Sequence, residues 1–232
     1  MCIRDRLKVV LQNIPASAHP MDVMRTGTSM LGNLEPEGDF ENQLDSINRM
    51  IATMASIVTY WYKYSHEGVD ISLINDEDTI AGHFLHILHG KPPSELHKKV
   101  MDTSLILYAE HEFNASTFTA RVCASTMSDI FSCVVAAIGS LRGPLHGGAN
   151  EAAMDMIENW KTRDEAKSNI LSMLQNKEKI MGFGHAVYSE VDPRNAVIKE
   201  YSKKLSEEFG DSTLYEVSEE VEKTMWDEKK LF

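Results

Sequence analysis

The chain has 232 residues, with 23 Lys and Arg against 35 Asp and Glu, for a formal net charge of −12. That length admits one large domain or two smaller ones with a true core. The acidic balance argues against a general nucleic-acid or acidic-membrane binder, and no apolar run approaches the roughly 20 residues of a membrane span. It leaves room for an anionic ligand, which a few local arginines, lysines and helix N-termini can hold.

The predicted elements are helical throughout. Residues 1–7 begin Met1-Cys2-Ile3-Arg4-Asp5-Arg6 and have no sensible join to the rest of the chain, so a non-native N-terminal peptide is expected there. Glu35-Pro36-Glu37-Gly38-Asp39 reads as a surface loop. Ile47, Ile51, Met54, Val58 and Trp61 step by four and three, predicting one apolar stripe on a long helix from Glu41 to His66. Asp76, Glu77 and Asp78 precede a further helix and suit its N-terminal dipole and cap. Leu96, Val100, Met101, Leu105 and Tyr108 mark another helix. Thr162-Arg163-Asp164-Glu165 is a capping-box pattern, with Thr162 as N-cap and Glu165 reaching back. Asp192-Pro193 reads as N-cap plus first helical position, which puts Arg194 in the first turn of a helix. Ser212 or Thr213 opens the last one.

Cys2, Cys123 and Cys133 are odd in number and lack metal-ligand spacing, so they read as reduced cytosolic thiols. The chemistry is concentrated elsewhere. Gly143-Pro144-Leu145-His146-Gly147-Gly148-Ala149-Asn150-Glu151 and Gly182-Phe183-Gly184-His185-Ala186-Val187-Tyr188 each set a histidine among glycines. Glycine lets the backbone approach a ligand closely. A histidine on such a turn is placed to give or take a proton near neutral pH. With Arg194, the pair suggests proton chemistry on a carboxylate-bearing substrate.

A third histidine, His111, lies in Tyr108-Ala109-Glu110-His111-Glu112-Phe113-Asn114-Ala115-Ser116-Thr117-Phe118. Together with His19-Pro20-Met21-Asp22-Val23-Met24-Arg25-Thr26-Gly27, Tyr60-Trp61-Tyr62-Lys63-Tyr64-Ser65-His66 and Gly82-His83-Phe84-Leu85-His86-Ile87-Leu88-His89-Gly90, the chain resembles the citrate synthase family. The likeness is densest to its bacterial 2-methylcitrate synthases and runs from about Leu11 to Phe232. It implies an all-α fold: part of a large helical domain over 8–147 and part of a smaller one over 148–232. It also implies an acyltransferase that condenses propionyl-CoA or acetyl-CoA with oxaloacetate, giving 2-methylcitrate or citrate and CoA. The acyl-CoA is a substrate, and no separate cofactor or metal is expected. By the same resemblance His146 is the hydrogen-bond donor to the thioester oxygen, and His185 polarises the ketone of oxaloacetate. Arg25, His111 and Arg194 bind oxaloacetate, and Lys179, Ile180, Met181, Gly182 and Phe183 lie along CoA. The resemblance further implies a cytoplasmic homodimer when full length, without nucleic-acid or membrane partners. The general base of the family is an aspartate in a downstream motif that Asp192, Asp211 and Asp227 do not occupy. The 232-residue chain is therefore expected to be a fragment without turnover of its own.

Two other readings stand beside this one. A plain citrate synthase using acetyl-CoA shares the same constellation. A non-catalytic helical ligand- or metal-binding fragment would use His83, His86 and His89. Those three fan across more than half of a helix circumference at about 100° per residue, so structural and helix-terminal roles are expected for them. Ser116 lacks a Gly-x-Ser-x-Gly elbow, which argues against a serine hydrolase.

Overall fold

The computed structural model describes residues 3–109, 113–184 and 191–231. Among these, every regular element is a helix, and none is long and apolar enough to cross a membrane. Two compact units divide between Gly143 and Pro144.

The first unit contains α1 (Ile3–Gln12), α2 (Pro20–Leu34), a short 3-10 turn (Phe40–Asn42) and α3 (Gln43–Glu67). It continues through α4 (Ile80–His89), α5 (Glu95–Ala109), α6 (Ala115–Ala124) and α7 (Ile130–Leu141). Leu7 and Leu11 of α1, Val23 of α2, and Ile57, Tyr60 and Trp61 of α3 form its main core. Leu31, Met50 and Phe131 form a second, where α2, α3 and α7 meet. Two polar contacts join the interior of this unit: Gln12 donates to the Tyr60 hydroxyl at 2.7 Å, and the Trp61 indole donates to the Ile14 carbonyl at 3.3 Å. The crossings are close enough to demand glycine. A Cβ on Gly32 would lie 2.7 Å from Phe131 Cβ, and one on Gly27 would lie 2.5 Å from Ile57 Cγ2.

The buried face of α3 differs from the predicted stripe. Ser46, Met50, Ala55, Ile57, Thr59, Tyr60 and Trp61 are buried, whereas Ile51 is 45% exposed. Apolar residues run nearly all round this helix, so periodicity alone does not select a face. The choice is made by α2, whose glycine lets it settle onto Ile57, and small Ser46 and Thr59 are buried beside the apolar positions. The role expected of Asp76, Glu77 and Asp78 also changes. Thr79 caps α4 by accepting the Gly82 N–H at 2.9 Å. Glu77 instead binds Lys98 at 3.0 Å and His86 at 3.3 Å, with its side chain 9% exposed.

The second unit contains α8 (Gly148–Ile157), α9 (Arg163–Gln175), α10 (Pro193–Phe209) and α11 (Thr213–Lys229). Ala166 and Ile170 of α9 pack with Val217, Val221 and Met225 of α11, and Ile180 joins them from the segment after α9. Thr162 caps α9 by accepting the Glu165 N–H at 3.1 Å. The Glu165 carboxylate reaches back one residue further than a capping box requires, to the Lys161 N–H at 2.7 Å. Ser212 occupies the cap position of α11 and donates to Glu216 at 2.6 Å, while Asp211 accepts the Thr213 N–H at 2.9 Å.

Candidate active site

His146 stands on the turn that opens α8. It is half-buried, and its carbonyl accepts the Ala149 N–H at 3.1 Å, which ties it to the first turn of the helix. Gly147 is the cap residue and offers no side chain to the helix N–H groups. The positive end of α8 is therefore next to His146, an arrangement that favours negative charge developing nearby.

Lys179–Phe183 follows α9 as irregular backbone. Ile180 is buried in the core, and Phe183 packs on its edge. These two anchors hold the segment while Gly182 and Gly184 stay exposed. Gly182 has φ 95°, and Gly184 has φ 81°, in the region that side chains disfavour. A Cβ at Gly182 would stand 3.5 Å from that of Ala153, an ordinary contact, so conformation rather than space requires the glycine. The segment thus runs beside α8, the helix that begins just after His146.

Arg194 lies in the first turn of α10. Asp192 caps that helix by accepting the Arg194 N–H at 2.9 Å, and Pro193 supplies the preset φ of the first helical residue. The same carboxylate grips the guanidinium, from Nε at 2.9 Å and from a terminal nitrogen at 2.6 Å. The Arg194 side chain is 19% exposed. Its Nε–Nη edge is thus already taken by Asp192, at the N-terminus of α10.

Arg25 lies on α2 of the first unit, 3.0 Å from Asp22 one turn back. Asp22 also faces Arg142 at 3.7 Å, just beyond the end of α7. The spacing of Arg25 and Asp22 is legible in sequence. The approach of Arg142 is a tertiary contact with no such signal. His111 and His185 lie outside the described residues.

The histidines of α4 have separate partners. The two ring nitrogens of His83 meet Ser56 at 3.0 Å and Asn75 at 3.2 Å, and His86 meets Glu77. Burial pushes the His83 imidazole below its ordinary value, and the Lys98 ammonium holds the Glu77 carboxyl below its own. His89 sits exposed at the end of the helix. Among the described residues no group of three or more His, Cys, Asp or Glu side chains is placed to hold a metal ion.

The family profile described as citrate synthase, C-terminal domain, matches residues 1–232. The chain belongs to the citrate synthase family. It is 63% identical over 226 residues to a 2-methylcitrate synthase of Shewanella oneidensis, covering 97% of this chain and 60% of that protein. It is 42% identical to a citrate synthase of Deinococcus radiodurans, covering 97% of this chain and again 60% of the relative. Among solved structures, a citrate synthase of Thermoplasma acidophilum, determined with carboxymethyl coenzyme A and oxaloacetate, superposes with a TM-score of 0.88 at 27% identity. That likeness covers 98% of this chain and 61% of the archaeal one. The chain thus spans about 60% of the length of the curated relatives it matches. The citrate synthase fold is helical, as the expected all-α class requires.

Proposed function

We propose that this chain carries the keto-acid and acyl-thioester parts of a site that condenses propionyl-CoA with oxaloacetate, forming 2-methylcitrate and CoA. The observation that carries this reading is the 63% identity to the Shewanella 2-methylcitrate synthase. Acetyl-CoA is the lesser substrate, giving citrate.

The chemistry explains the residue types. The proton beside a thioester carbonyl is weakly acidic, so removing it requires a donor on the oxygen where charge accumulates. His146 is that donor, with the positive end of α8 beside it. The resulting enol carbon attacks the ketone carbon of oxaloacetate. A new carbon–carbon bond forms as the ketone π electrons move to oxygen, which His185 protonates. Arg194 holds a carboxylate of oxaloacetate, and Arg25 and His111 complete its binding. The backbone of Lys179–Phe183 lies along CoA. Water then cleaves the thioester of the condensed product, releasing CoA. None of Asp192, Asp211 and Asp227 matches the motif that carries the proton-abstracting carboxylate. The 232-residue chain by itself is therefore proposed not to turn over. No metal or separate cofactor enters these steps, and the assembled enzyme is proposed to be a cytoplasmic homodimer.

A citrate synthase acting on acetyl-CoA is the second reading, favoured by the 42% identity to the Deinococcus enzyme. The two differ by one methyl group in the acyl pocket, which is worth about 1–3 kcal/mol, or roughly 10–200-fold. The test is kcat/KM for propionyl-CoA and acetyl-CoA in the full-length protein, monitored by release of CoA thiol. A ratio of about ten or more for propionyl-CoA is expected, and a preference for acetyl-CoA would overturn the assignment. CoA release by the isolated 232-residue chain would refute the proposed lack of turnover.

A further inference from the structure

The helix that carries Arg194 is attached in an unusual way. α10 runs for 17 residues without one that is fully buried. Val197 and Ile198 are each 37% exposed, and Phe209 is 69% exposed. Within this chain, apolar packing therefore does little to fix its rotation about its own axis. By contrast, α9 and α11 are locked together through Ala166, Ile170, Val217, Val221 and Met225. What joins α10 to this fixed pair is polar. One carboxylate oxygen of Glu222, on α11, accepts from Asn195 Nδ2 at 2.8 Å, and the other accepts from Lys199 Nζ at 2.6 Å. Asn195 is the neighbour of Arg194, and Lys199 lies one turn further along, so a single carboxylate spans the first two turns of α10.

A second layer supports the first. Glu219, one turn before Glu222, stands 3.7 Å from Lys199 and accepts from Arg163 of α9 at 2.8 Å and from Tyr215 at 2.9 Å. The clasp is thus braced against the buried helix pair. A two-pronged attachment fixes rotation as well as distance, which a single contact cannot do.

We propose that Glu222 is a positioning residue for the oxaloacetate-binding arginine: by bridging Asn195 and Lys199 it sets the direction in which the first turn of α10 presents Arg194. This rests on the proposed role of Arg194. In this role Glu222 works without touching either substrate. It acts through the orientation of a helix that the core does not hold.

The test compares Glu222→Gln, Glu222→Ala and Asn195→Ala with Arg194→Ala in the full-length protein. Oxaloacetate KM, kcat and amide hydrogen exchange over 193–209 are read for each. Glu222→Ala is expected to raise oxaloacetate KM about tenfold with little change in the KM for the acyl-CoA, because small misplacements of a binding group are costly. Glu222→Gln, which keeps an acceptor for Asn195, is expected to fall between it and wild type. Exchange across α10 should quicken about tenfold while that of Ala166–Ile170 stays unchanged. Asn195→Ala probes the same clasp from the other side, without removing a charge from α11. If Arg194→Ala raises oxaloacetate KM and neither Glu222→Ala nor Asn195→Ala does, the positioning role is wrong and the proposed function stands. If Arg194→Ala leaves oxaloacetate KM unchanged, both fall together. Faster exchange throughout α9 and α11 in Glu222→Ala would show a core role instead and would also overturn the proposal.

Discussion

Asp192 performs two tasks with one carboxylate, and three substitutions can separate them. It caps α10 through the Arg194 N–H and grips the Arg194 guanidinium at 2.6 Å. A lost N-cap costs about 1 kcal/mol. The charge-assisted pair would contribute about 1.5–3 kcal/mol if buried. Its two side chains are 19% and 28% exposed, so solvent reduces that to about 1 kcal/mol. Asp192→Ala removes both terms and should cost about 2 kcal/mol. Asp192→Asn keeps an equally good cap and loses the charge, so about 1 kcal/mol is expected. Arg194→Ala keeps its backbone N–H and therefore the cap, and it should also cost about 1 kcal/mol. Urea unfolding followed through Trp160 and Trp226, both in the second unit, measures each value. The reasoning fails if Asp192→Asn is as damaging as Asp192→Ala, or if Asp192→Ala lies within about 0.5 kcal/mol of wild type.

Two further predictions concern the first unit. Gly32→Ala forces a methyl group onto Phe131 Cβ and Cγ, both 2.7 Å from the new carbon, and should lower the melting temperature despite the better helix propensity of alanine. Gly139→Ala, within α7 and with nothing inside 4 Å, should raise it by the equivalent of about 0.5–1 kcal/mol, and the opposite order of the two would refute the packing argument. His83 is held below its ordinary value of 6.5 by burial, so the unfolded chain takes its proton first as pH falls. Its stabilising effect is complete above 6.5 and is lost as pH falls from there through the folded value. The slope of melting temperature against pH in that window should flatten in His83→Gln, and an unchanged slope would assign it to other groups.

What the sequence makes legible here is local. Thr162, Asp192 and the glycine-framed His146 are readable because a cap or a turn is encoded within a few residues. The exposed face of α3 is not, because Met50, Ile51, Met54, Ile57, Val58 and Trp61 leave several stripes equally apolar, and only contact with α2 and α7 selects one. Glu77 reads as a dipole residue by position, yet Thr79 takes the cap and leaves Glu77 to Lys98, a partner 21 residues on. The grip of Asp192 on Arg194 escapes pattern reading for a different reason. Their separation of two is not a helical neighbour spacing, and the pair meets only because Asp192 lies outside the helix it caps.

The same distinction governs the site. A family resemblance proposes groups that touch substrate, since their chemistry restricts the residue type at each position. It is silent on what aims them. In the second unit, Lys179–Phe183 is aimed by burial of Ile180, so loss of core volume there should be felt along the whole segment. Arg194 is aimed by Asp192 from within its own turn and by Glu222 from the neighbouring helix, through Asn195 and Lys199. Charge contacts at partly exposed positions are weaker than apolar burial and are screened by salt. With Arg194 in its proposed role, oxaloacetate binding by the full-length protein should therefore weaken with ionic strength by two routes, competition at the guanidinium and loosening of α10. The second route should disappear in Glu222→Ala, leaving a shallower salt dependence than in wild type; an identical dependence in both would mean that the clasp plays no part in holding the arginine.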